Sequence, residues 1–496
     1  MSLSKHTVMK KLSIVLLTLL FVLPYTSCKK FLDVVPKTQM PKDVLFSTQE
    51  GFEDALMGAY IQMKDNKAYG AAMTQTTIEQ LISSWDVVAN TTEQRIGLYN
   101  YTDAGVETAF SSIFETEYKI ISSVNSILAQ IDAKKDRFST PGMYEIVKAE
   151  AMAIRAYCHL DILRLFGPVP TAPQNGSMLA YVTTLSKTPT TRISFEAYKA
   201  ALLQDLSQAE NLLKGVDPIT QYTLAQLRYP NTASAFNPSN SQLAYRYLRL
   251  NYYAVKGLQA RAYLWFGDKQ KAYENAKAVI DAKNEDGSTK FRLGTAADLS
   301  NASYKDYVLS NEQLFGLYDF NMFTKYGSTY ATGTLKKGTA ATTINTSLYG
   351  NTGTDIREAY LWELLTMANG SRAYVFKKYQ PVETPSIATA DFKQIPMIRL
   401  SEMYLIAAEA APLAEAQSYW STFKTTRNIA VTTLPSDDAQ RALEILKETR
   451  KEFYAEGQAF FAYKRLNAPK TAVLFTPAAA TINYLLPLPR VELTSL

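Results

Sequence analysis

Apolar residues recur at intervals of three and four over several stretches of the chain, which is the period of an amphipathic helix. Over residues 112–127, one such stripe is formed by Ile113, Phe114, Tyr118, Ile121 and Val124. A second stripe follows Ser194, a residue type that caps helix N-termini, and consists of Leu202, Leu206, Ala209 and Leu213. The pattern therefore predicts helices that each bury one face.

Pairs of such helices are predicted around residues 146–213, 249–280 and 398–429. The middle pair is the clearest, because two helical patterns meet at Gly267 and Asp268. Small residues on both sides of this break let two antiparallel helices approach closely, as in the packing unit of tetratricopeptide repeats. The spacing fits that repeat only loosely, so we expect degenerate helical hairpins.

Two long regions, residues 214–245 and 285–395, are rich in Ser, Thr, Asn, Gly and Tyr and lack a helical period. They predict loops that together build one face of the protein. Hydrophobic residues make up 47% of the chain and charged residues 20%, the balance of a globular protein with a large core. We expect an all-α fold, mainly helical with long loops, in which residues 46–496 form a single domain with a loop-rich ligand-binding face.

The N-terminal segment has the features of a secretory signal peptide. Lys10 and Lys11 precede an apolar run over residues 12–23, and small residues stand before Cys28. The run is too short to span a bilayer, which needs about 20 apolar residues. A cysteine at this position is the acceptor for bacterial lipoprotein diacylation, so we expect a signal peptide over residues 1–27 and a lipidated tether over residues 28–45. The alternative is an ordinary signal peptide with an incidental cysteine.

The net charge and the small number of Cys and His residues exclude several classes of function. Removal of residues 1–27 would lower the formal charge from +6 to +3, which is too weak to indicate nucleic-acid binding. Cys158 and His159 would then be the remaining thiol and the remaining histidine beside Cys28, too few for a zinc site. We therefore predict no metal and no cofactor, and we interpret His159 as a packed histidine on a helix.

Motifs of nucleotide binding and of nucleophilic catalysis are absent from the sequence, including the P-loop, the dinucleotide fingerprint and the Gly-x-Ser-x-Gly elbow. A pair of carboxylates remains the one enzymatic option, because 46 Asp and Glu residues can always supply one. The sequence therefore favours a binding protein and predicts no enzyme activity.

A series of short motifs follows the apolar leader in a definite order. After Cys28 come Phe-Leu-Asp at residues 31–33, Arg-Ala-Tyr at 155–157, Phe-Gly-Pro-Val-Pro at 166–170 and Asp205 with Leu206. The series continues with Glu312, Asp355, Arg357, Lys378 and Tyr379, IRLSEMYLIAAEA at 398–410, RKEFYAEGQAFFAYKRL at 450–466 and Leu-Pro-Leu-Pro at 486–489. In this order the chain resembles the SusD/RagB-like outer-membrane lipoproteins of the Bacteroidetes from Cys28 to near its end.

The resemblance implies a fold and a role. Members of that family are helical proteins built on four tetratricopeptide-like units, with loops packed on one side as a ligand platform. They capture oligosaccharides, or in one branch peptides, and act as lids on a SusC-like TonB-dependent transporter of the outer membrane. The resemblance thus implies a lipid-anchored protein at the cell exterior that binds and delivers its ligand without hydrolysing it.

One motif departs from the family pattern. After Glu456 and Gly457 this chain has Gln458, Ala459, Phe460 and Ala462, where relatives commonly carry His-Arg-Trp or Gln-Arg-Trp and an Asp. We expect the helix to survive these changes. We also expect structural ion pairs rather than ligand contacts from Arg450, Glu452, Glu456 and Arg465.

Residues 83–101 are the first candidate ligand site, because they are polar and lie where family members place part of theirs. Trp85, Tyr99 and Tyr101 can stack on a sugar ring, and Asp86, Asn90 and Arg95 can hydrogen-bond to its hydroxyls. The alternative for Trp85 is packing into the helical body beneath a loop. Residues 318–333 are the second candidate ligand site. There we expect Tyr326 and Tyr330 to be exposed and to contact the ligand, and Tyr318 and Phe320 to lie in the core.

Four functions follow from these observations. The first is glycan binding in partnership with a transporter, and the second is peptide binding by the same architecture. A carboxylate-dependent glycoside hydrolase and a helical scaffold without a small ligand are the others.

The lipid anchor gives the first testable prediction. Substitution Cys28→Ser should abolish incorporation of labelled palmitate and move the protein from the detergent phase to the aqueous phase, because several acyl chains bind a bilayer firmly. Substitution Cys158→Ser is the matched control and should keep both properties. Retention of the label by Cys28→Ser would exclude Cys28 as the acceptor.

Overall fold

The computed structural model describes residues 41–173, 176–381 and 391–494. Cys28, the predicted signal peptide and most of the predicted tether lie outside these ranges. The described residues form nine helices of eleven residues or more: α1 Gln49–Met63, α2 Ala104–Ile131, α3 Met143–Phe166, α4 Phe195–Leu213, α5 Tyr252–Trp265, α6 Lys269–Ile280, α7 Leu400–Ala410, α8 Leu413–Thr426 and α9 Asp438–Glu452. Among them and the shorter helices, none is both long and apolar enough to cross a membrane.

Shorter elements connect and cover these helices. The short α-helices are Lys42–Leu45, Thr77–Gln80, Thr92–Gly97, Leu224–Arg228, Ala296–Ser300, Met322–Tyr326, Ile356–Leu361, Ala459–Arg465 and Arg490–Thr494. Single 3₁₀ turns are Lys135–Arg137, Pro218–Thr220, Ser241–Leu243, Ser310–Glu312 and Lys470–Ala472, and π-helical turns are Gly327–Ala331 and Thr343–Leu348.

Six short strands pair as three antiparallel two-stranded sheets. Strand β1 (Ser177–Leu179) pairs with β2 (Ile193–Ser194), β3 (Gln313–Tyr318) with β6 (Gln394–Arg399), and β4 (Trp362–Thr366) with β5 (Arg372–Phe376). The predicted helical stretch at 398–429 therefore begins as the end of a strand, and its first helix starts at Leu400.

The long helices stack in chain order. Each helix from α1 to α7 packs against the next one along the chain, and α9 packs against α7. The pairs α3–α4, α5–α6 and α7–α8 coincide with the three helical pairs that the sequence predicts. The mainly helical fold class is confirmed, and Phe46–Leu496 forms one compact unit.

Local sequence signals account for the helix boundaries. The Ser194 hydroxyl caps α4 by accepting from the backbone N–H of Ala197 at 3.3 Å, as predicted. Between α5 and α6, Gly267 adopts a φ of +79°, a left-handed conformation that costs glycine no Cβ clash. The carboxylate of Asp268 then caps α6.

Helix α3 lies in the centre of the stack and is buried on nearly every side. Its charged residues therefore need partners inside the protein. Arg155 forms a two-pronged pair with Asp205 of α4, with both nitrogen–oxygen distances at 2.7 Å. Its His159 is buried as predicted, with Nδ1 2.9 Å from the Tyr198 hydroxyl, and burial lowers its pKa to about 3.

A second set of buried charges joins five separate segments of the chain. We call it the arginine–glutamate hub and define it as Arg357, Arg399, Arg427, Glu312, Glu452 and Glu456. The carboxylate of Glu452 lies at its centre and accepts from Arg427 at 2.7 Å, from Arg399 at 2.8 Å and from Arg357 at 3.2 Å. Burial alone would raise the pKa of Glu452, but the guanidinium groups of Arg427 and Arg399 hold it well below its ordinary value.

Loss of this central charge should destabilise the fold strongly. Substitution Glu452→Gln leaves three buried guanidinium groups short of one negative charge, so we expect the free energy of unfolding to fall by about 3 kcal/mol. Urea denaturation measures the change. The control is Glu444→Gln on the same helix, which removes an exposed pair with Lys447 and should cost less than about 0.5 kcal/mol. Equal effects of the two substitutions would contradict the structural role of the hub.

Candidate ligand-binding groove

A groove of about 690 Å³ opens where helix α1 meets two loop segments and the end of β3. We call it the tyrosine groove, after the residue type that dominates its wall. Its lining consists of Met57, Tyr60, Ile61, Lys64, Arg228, Tyr229, Tyr245, Tyr247, Leu248, Arg249, Gly316, Leu317 and Tyr318. The volume lies within the range of sites that bind small molecules.

Helix α1 supplies one wall. Met57, Ile61 and Lys64 share one face, because residues four and three apart lie above one another on a helix. The floor beside them is fixed by Tyr60, whose hydroxyl bonds to the buried carboxylate of Glu150 and accepts from the backbone N–H of Leu250 at 3.1 Å. The wall is therefore rigid, while the Ile61 side chain is open to solvent.

Three tyrosine rings are exposed around the groove. Tyr229 is 49% exposed, Tyr245 47% and Tyr318 36%. Folding normally removes large apolar rings from water, and a patch of them on a groove is typical of a binding site. Each ring offers a flat apolar face together with a hydroxyl that can donate or accept.

The backbone holds the Tyr245 ring in place through a strained turn. Tyr245 has a φ of +61°, a left-handed conformation that is uncommon for a residue with a large side chain. The turn it begins is closed by the Leu248 N–H, which donates to the Tyr245 carbonyl at 2.9 Å. The Leu248 carbonyl in turn accepts from the Gly316 N–H at 3.0 Å, which ties the turn to β3.

A buried polar network supports the groove from behind. The Tyr247 hydroxyl donates to Asp391 at 2.8 Å, and Arg228 Nε lies 3.4 Å from the same carboxylate. Burial raises the pKa of Asp391, although Arg228 opposes this shift. The Arg228 guanidinium also lies 5.3 Å from the centroid of the Tyr247 ring and donates to the Ser310 carbonyl at 3.3 Å. Both side chains are thus fixed before a ligand arrives.

The aromatic members of the predicted site at residues 83–101 are mostly part of the interior. Trp85 is 3% exposed, donates from its indole N–H to the Gln75 carbonyl at 2.7 Å, and packs edge-on against Tyr330 and Tyr454. This is the packing that the alternative interpretation of Trp85 predicts. Tyr99 is buried as well and donates to the Leu81 carbonyl at 2.5 Å. Neither ring has a free face for a ligand.

The polar members of that segment lie at the surface and stabilise loops. Asp86 pairs with Lys337 at 3.0 Å and accepts from the Gly338 N–H. Asn90 is exposed with a φ of +63°, and its N–H donates to the Gln94 side chain. Arg95 Nε lies 3.3 Å from Asp103, and the half-buried Tyr101 donates to the Asn483 carbonyl at 2.6 Å. Ligand contact by these four residues stays a prediction.

The predicted exposure of Tyr326 and Tyr330 is wrong. Tyr326 is 6% and Tyr330 1% exposed, and their rings stack at 5.4 Å. The reason is the helix Met322–Tyr326, which continues as a π-helical turn and directs both rings inward, where the Tyr330 hydroxyl donates to the Gln75 side chain. The expected core position of Tyr318 and Phe320 is also wrong, because β3 ends at Tyr318 and both rings lie in solvent.

Sequence reasoning missed the tyrosine groove itself. Tyr229, Tyr245 and Tyr318 fall within the two regions predicted to build a loop-rich face. Their position in these regions was the one indication in the sequence that they line a site. With 32 tyrosines in the chain, the residue type alone could not single them out. The sequence does not indicate that helix α1 forms a wall of the groove, because Met57 and Ile61 fit an ordinary amphipathic helix.

No group of three or more His, Cys, Asp or Glu residues in the described ranges is arranged to hold a metal ion. The lining of the groove presents aromatic faces, hydroxyls and cationic side chains. Such groups can contact a ligand and hydrogen-bond to it.

Comparison with known proteins places the chain in a family. A family model described as "Starch-binding associating with outer membrane" matches residues 30–228, and the model of the SusD family matches residues 252–476. The chain belongs to the SusD/RagB family. A SusD-like protein of Formosa agariphila is 25% identical over 98% of this chain and 97% of its own length.

Solved structures of the SusD superfamily share the fold. A putative sugar binding protein from Bacteroides vulgatus superposes with a TM-score of 0.63 at 22% identity, over 90% of this chain and 96% of its own. A laminarin binding SusD-like protein gives a TM-score of 0.61 at 16% identity, over 90% and 98% respectively. At these identities the likeness demonstrates the shared helical architecture.

The charged residues of the family motifs around 378–379 and 450–466 form ion pairs that are mostly buried. Glu456 accepts from Arg399 at 2.9 Å and from Lys378, Arg450 lies 3.4 Å from Glu79, and Arg465 pairs with Glu409 at 2.7 Å. The predicted ion pairs of these charges are confirmed. Helix Ala459–Arg465 forms despite the departures at Gln458, Ala459, Phe460 and Ala462, as predicted.

The strain at Tyr245 gives a prediction on stability. Substitution Tyr245→Gly should leave the free energy of unfolding within about 1 kcal/mol of its original value, because relief of the left-handed conformation offsets the flexibility that glycine adds. The contrasting substitution is Tyr247→Ala, which removes a buried ring and should cost about 3 kcal/mol. Urea denaturation compares them. A large loss for Tyr245→Gly would show that this ring serves the fold.

Proposed function

We propose that this SusD-family protein binds an oligosaccharide in the tyrosine groove. It is held at the exterior of the outer membrane by lipid on Cys28, and it delivers its ligand to a SusC-like TonB-dependent transporter. It carries out no chemistry on the ligand. The observation that carries the proposal is the set of three exposed rings, Tyr229, Tyr245 and Tyr318, around a rigid groove in a chain of this family.

The chemistry of sugars matches this groove. A pyranose ring has C–H faces that pack on flat aromatic side chains, and hydroxyls at its edge that need donors and acceptors. The tyrosine rings supply such faces, while Lys64, Arg228 and Arg249 supply donors around them. Because the groove is preformed, little binding energy is lost in ordering it.

Related proteins support a carbohydrate ligand. The family model that matches the N-terminal part of the chain carries the description of starch binding, and two solved neighbours are a putative sugar binding protein and a laminarin binding protein. A binder at the cell surface raises the local ligand concentration at the mouth of a transport channel. This effect makes weak binding sufficient for uptake.

The groove lacks the arrangement that glycoside hydrolysis requires. Two carboxyl groups must flank the scissile bond, about 5 to 10 Å apart. None of the residues that line the groove, all within the described ranges, is acidic. Asp391 lies behind Tyr247 and is buried, so it does not face a ligand. These positions favour binding over the hydrolase alternative.

Single substitutions in the groove test the proposal. Tyr229→Ala and Tyr318→Ala should each weaken oligosaccharide binding about tenfold, because each removes a stacking face worth roughly 1 kcal/mol or more. The control is Tyr360→Ala, which truncates a half-buried tyrosine outside the groove and should leave the affinity within about twofold. Affinity electrophoresis in gels that contain plant, host or fungal glycans finds a ligand, and calorimetry then measures each variant.

Several outcomes would contradict the proposal. Unchanged binding by both groove variants would place the site elsewhere. Binding of peptides but of no glycan would favour the peptide-binding alternative, and release of shorter products from a glycan would establish an enzyme. No heat with either class of ligand would favour a scaffold without a small ligand.

A further inference from the structure

We infer that the tyrosine groove selects an acidic oligosaccharide, one that carries carboxylate or sulfate groups. The inference rests on the proposed function and specifies its ligand class. It follows from the balance of charge in the groove: the lining contains Lys64, Arg228 and Arg249 but no acidic residue, within the described part of the chain.

Arg249 carries a charge that the protein does not neutralise. Its guanidinium donates to the side-chain oxygen of Gln242 at 2.7 Å and to the Gln242 carbonyl at 3.4 Å, and both acceptors are uncharged. Among the described residues, no carboxylate forms an ion pair with it. These bonds hold the planar fork in position, and such a fork is suited to two oxygens of one anion.

Lys64 is the second uncompensated cation. It directly follows helix α1, on the side that lines the groove, and its ammonium group forms no ion pair with the described residues. The carboxylate of the next residue, Asp65, accepts instead from the backbone N–H of Lys67 at 2.8 Å. The charge of Lys64 is therefore available to a ligand.

Arg228 differs from these two, since its charge is matched by Asp391 at 3.4 Å. It fixes the Tyr247 ring and adds little net charge. At the end of β3, Lys325 is likewise paired with Asp319 at 2.7 Å, whereas Lys393 lies over the rings of Phe320 and Phe323 and forms no ion pair within the described ranges. The region next to Tyr318 thus adds positive charge.

An acidic sugar satisfies both kinds of group at once. Its ring faces pack on the exposed tyrosines, while its carboxylate or sulfate oxygens accept from Arg249 and Lys64. A neutral sugar would leave these cations without a counter-charge as the ligand displaces water from them, which costs binding free energy. The cations therefore discriminate between acidic and neutral glycans of equal length.

Calorimetry with four matched probes tests the inference. The probes are tetragalacturonate as the carboxylate, a sulfated carrageenan tetrasaccharide as the sulfate, laminaritetraose as the neutral glycan and tetraglutamate as an acidic peptide. We expect at least one acidic tetrasaccharide to bind about tenfold more tightly than laminaritetraose, and to lose affinity when the salt concentration rises from 50 to 300 mM, roughly as screening predicts. Comparison of the first two probes distinguishes carboxylate from sulfate.

Substitutions identify the groups responsible. Lys64→Gln and Arg249→Gln should each weaken binding of the acidic ligand about fivefold more than they weaken any binding of laminaritetraose, because only the acidic ligand also loses a counter-charge. Arg249→Lys keeps the charge but not the fork, so its effect should be smaller. Lys67→Gln, an exposed lysine on the same segment but outside the groove lining, is the matched control and should change neither affinity. Circular dichroism establishes that each variant is folded.

The outcomes separate this inference from the proposed function. If laminaritetraose binds as tightly as the acidic probes and is weakened by Tyr229→Ala, the groove is a glycan site but the charge selection is wrong. If tetraglutamate binds more tightly than every glycan, the ligand class is wrong. If no probe binds and no glycan in the wider panel does so, both proposals fail together.

Discussion

Buried charge is the constraint on which the rest of this structure depends. The members of the arginine–glutamate hub come from five places: the residue before β3, the last residue of β6, the residue after α8, the end of α9 with the turn after it, and the short helix Ile356–Leu361. Charges removed from water are tolerated only when partners meet them with good geometry. Five segments that are distant in sequence must therefore arrive together, and this requirement specifies how the stack of helices closes.

The hub also explains what the family motifs of this chain encode. Asp355, Arg357, Lys378 and Glu456 all belong to the motifs through which the chain resembles the family, and the structure pairs them inside the protein. The exposed tyrosines of the groove belong to no such motif. The motifs thus describe the helical frame, and the proposed ligand site is built from residues between them.

The helical frame could be predicted from the sequence, whereas the exposure of the tyrosines could not. Helices α2 to α8 were predictable because their apolar stripes and caps, such as Ser194, are local signals. The exposure of a tyrosine is not local: Tyr330 is buried because a π-helical turn brings it to Gln75 and Trp85, more than 200 residues away in the chain. Tyr318 resembles a core residue because it ends an apolar run. It lies, however, at the edge of the sheet, where it forms the last pair of β3 and β6. Long-range packing therefore reversed the expected positions of these rings.

Strand β3 connects the arginine–glutamate hub to the tyrosine groove, and this connection limits how far the groove wall can move. Its first residue follows Glu312 of the hub, and its last residue is Tyr318 of the groove, about 20 Å away for a strand of this length. One wall of the groove is thereby connected through a single strand to a buried network of ion pairs. We therefore expect a ligand bound in the groove to change the outer surface of the protein without shifting the long helices.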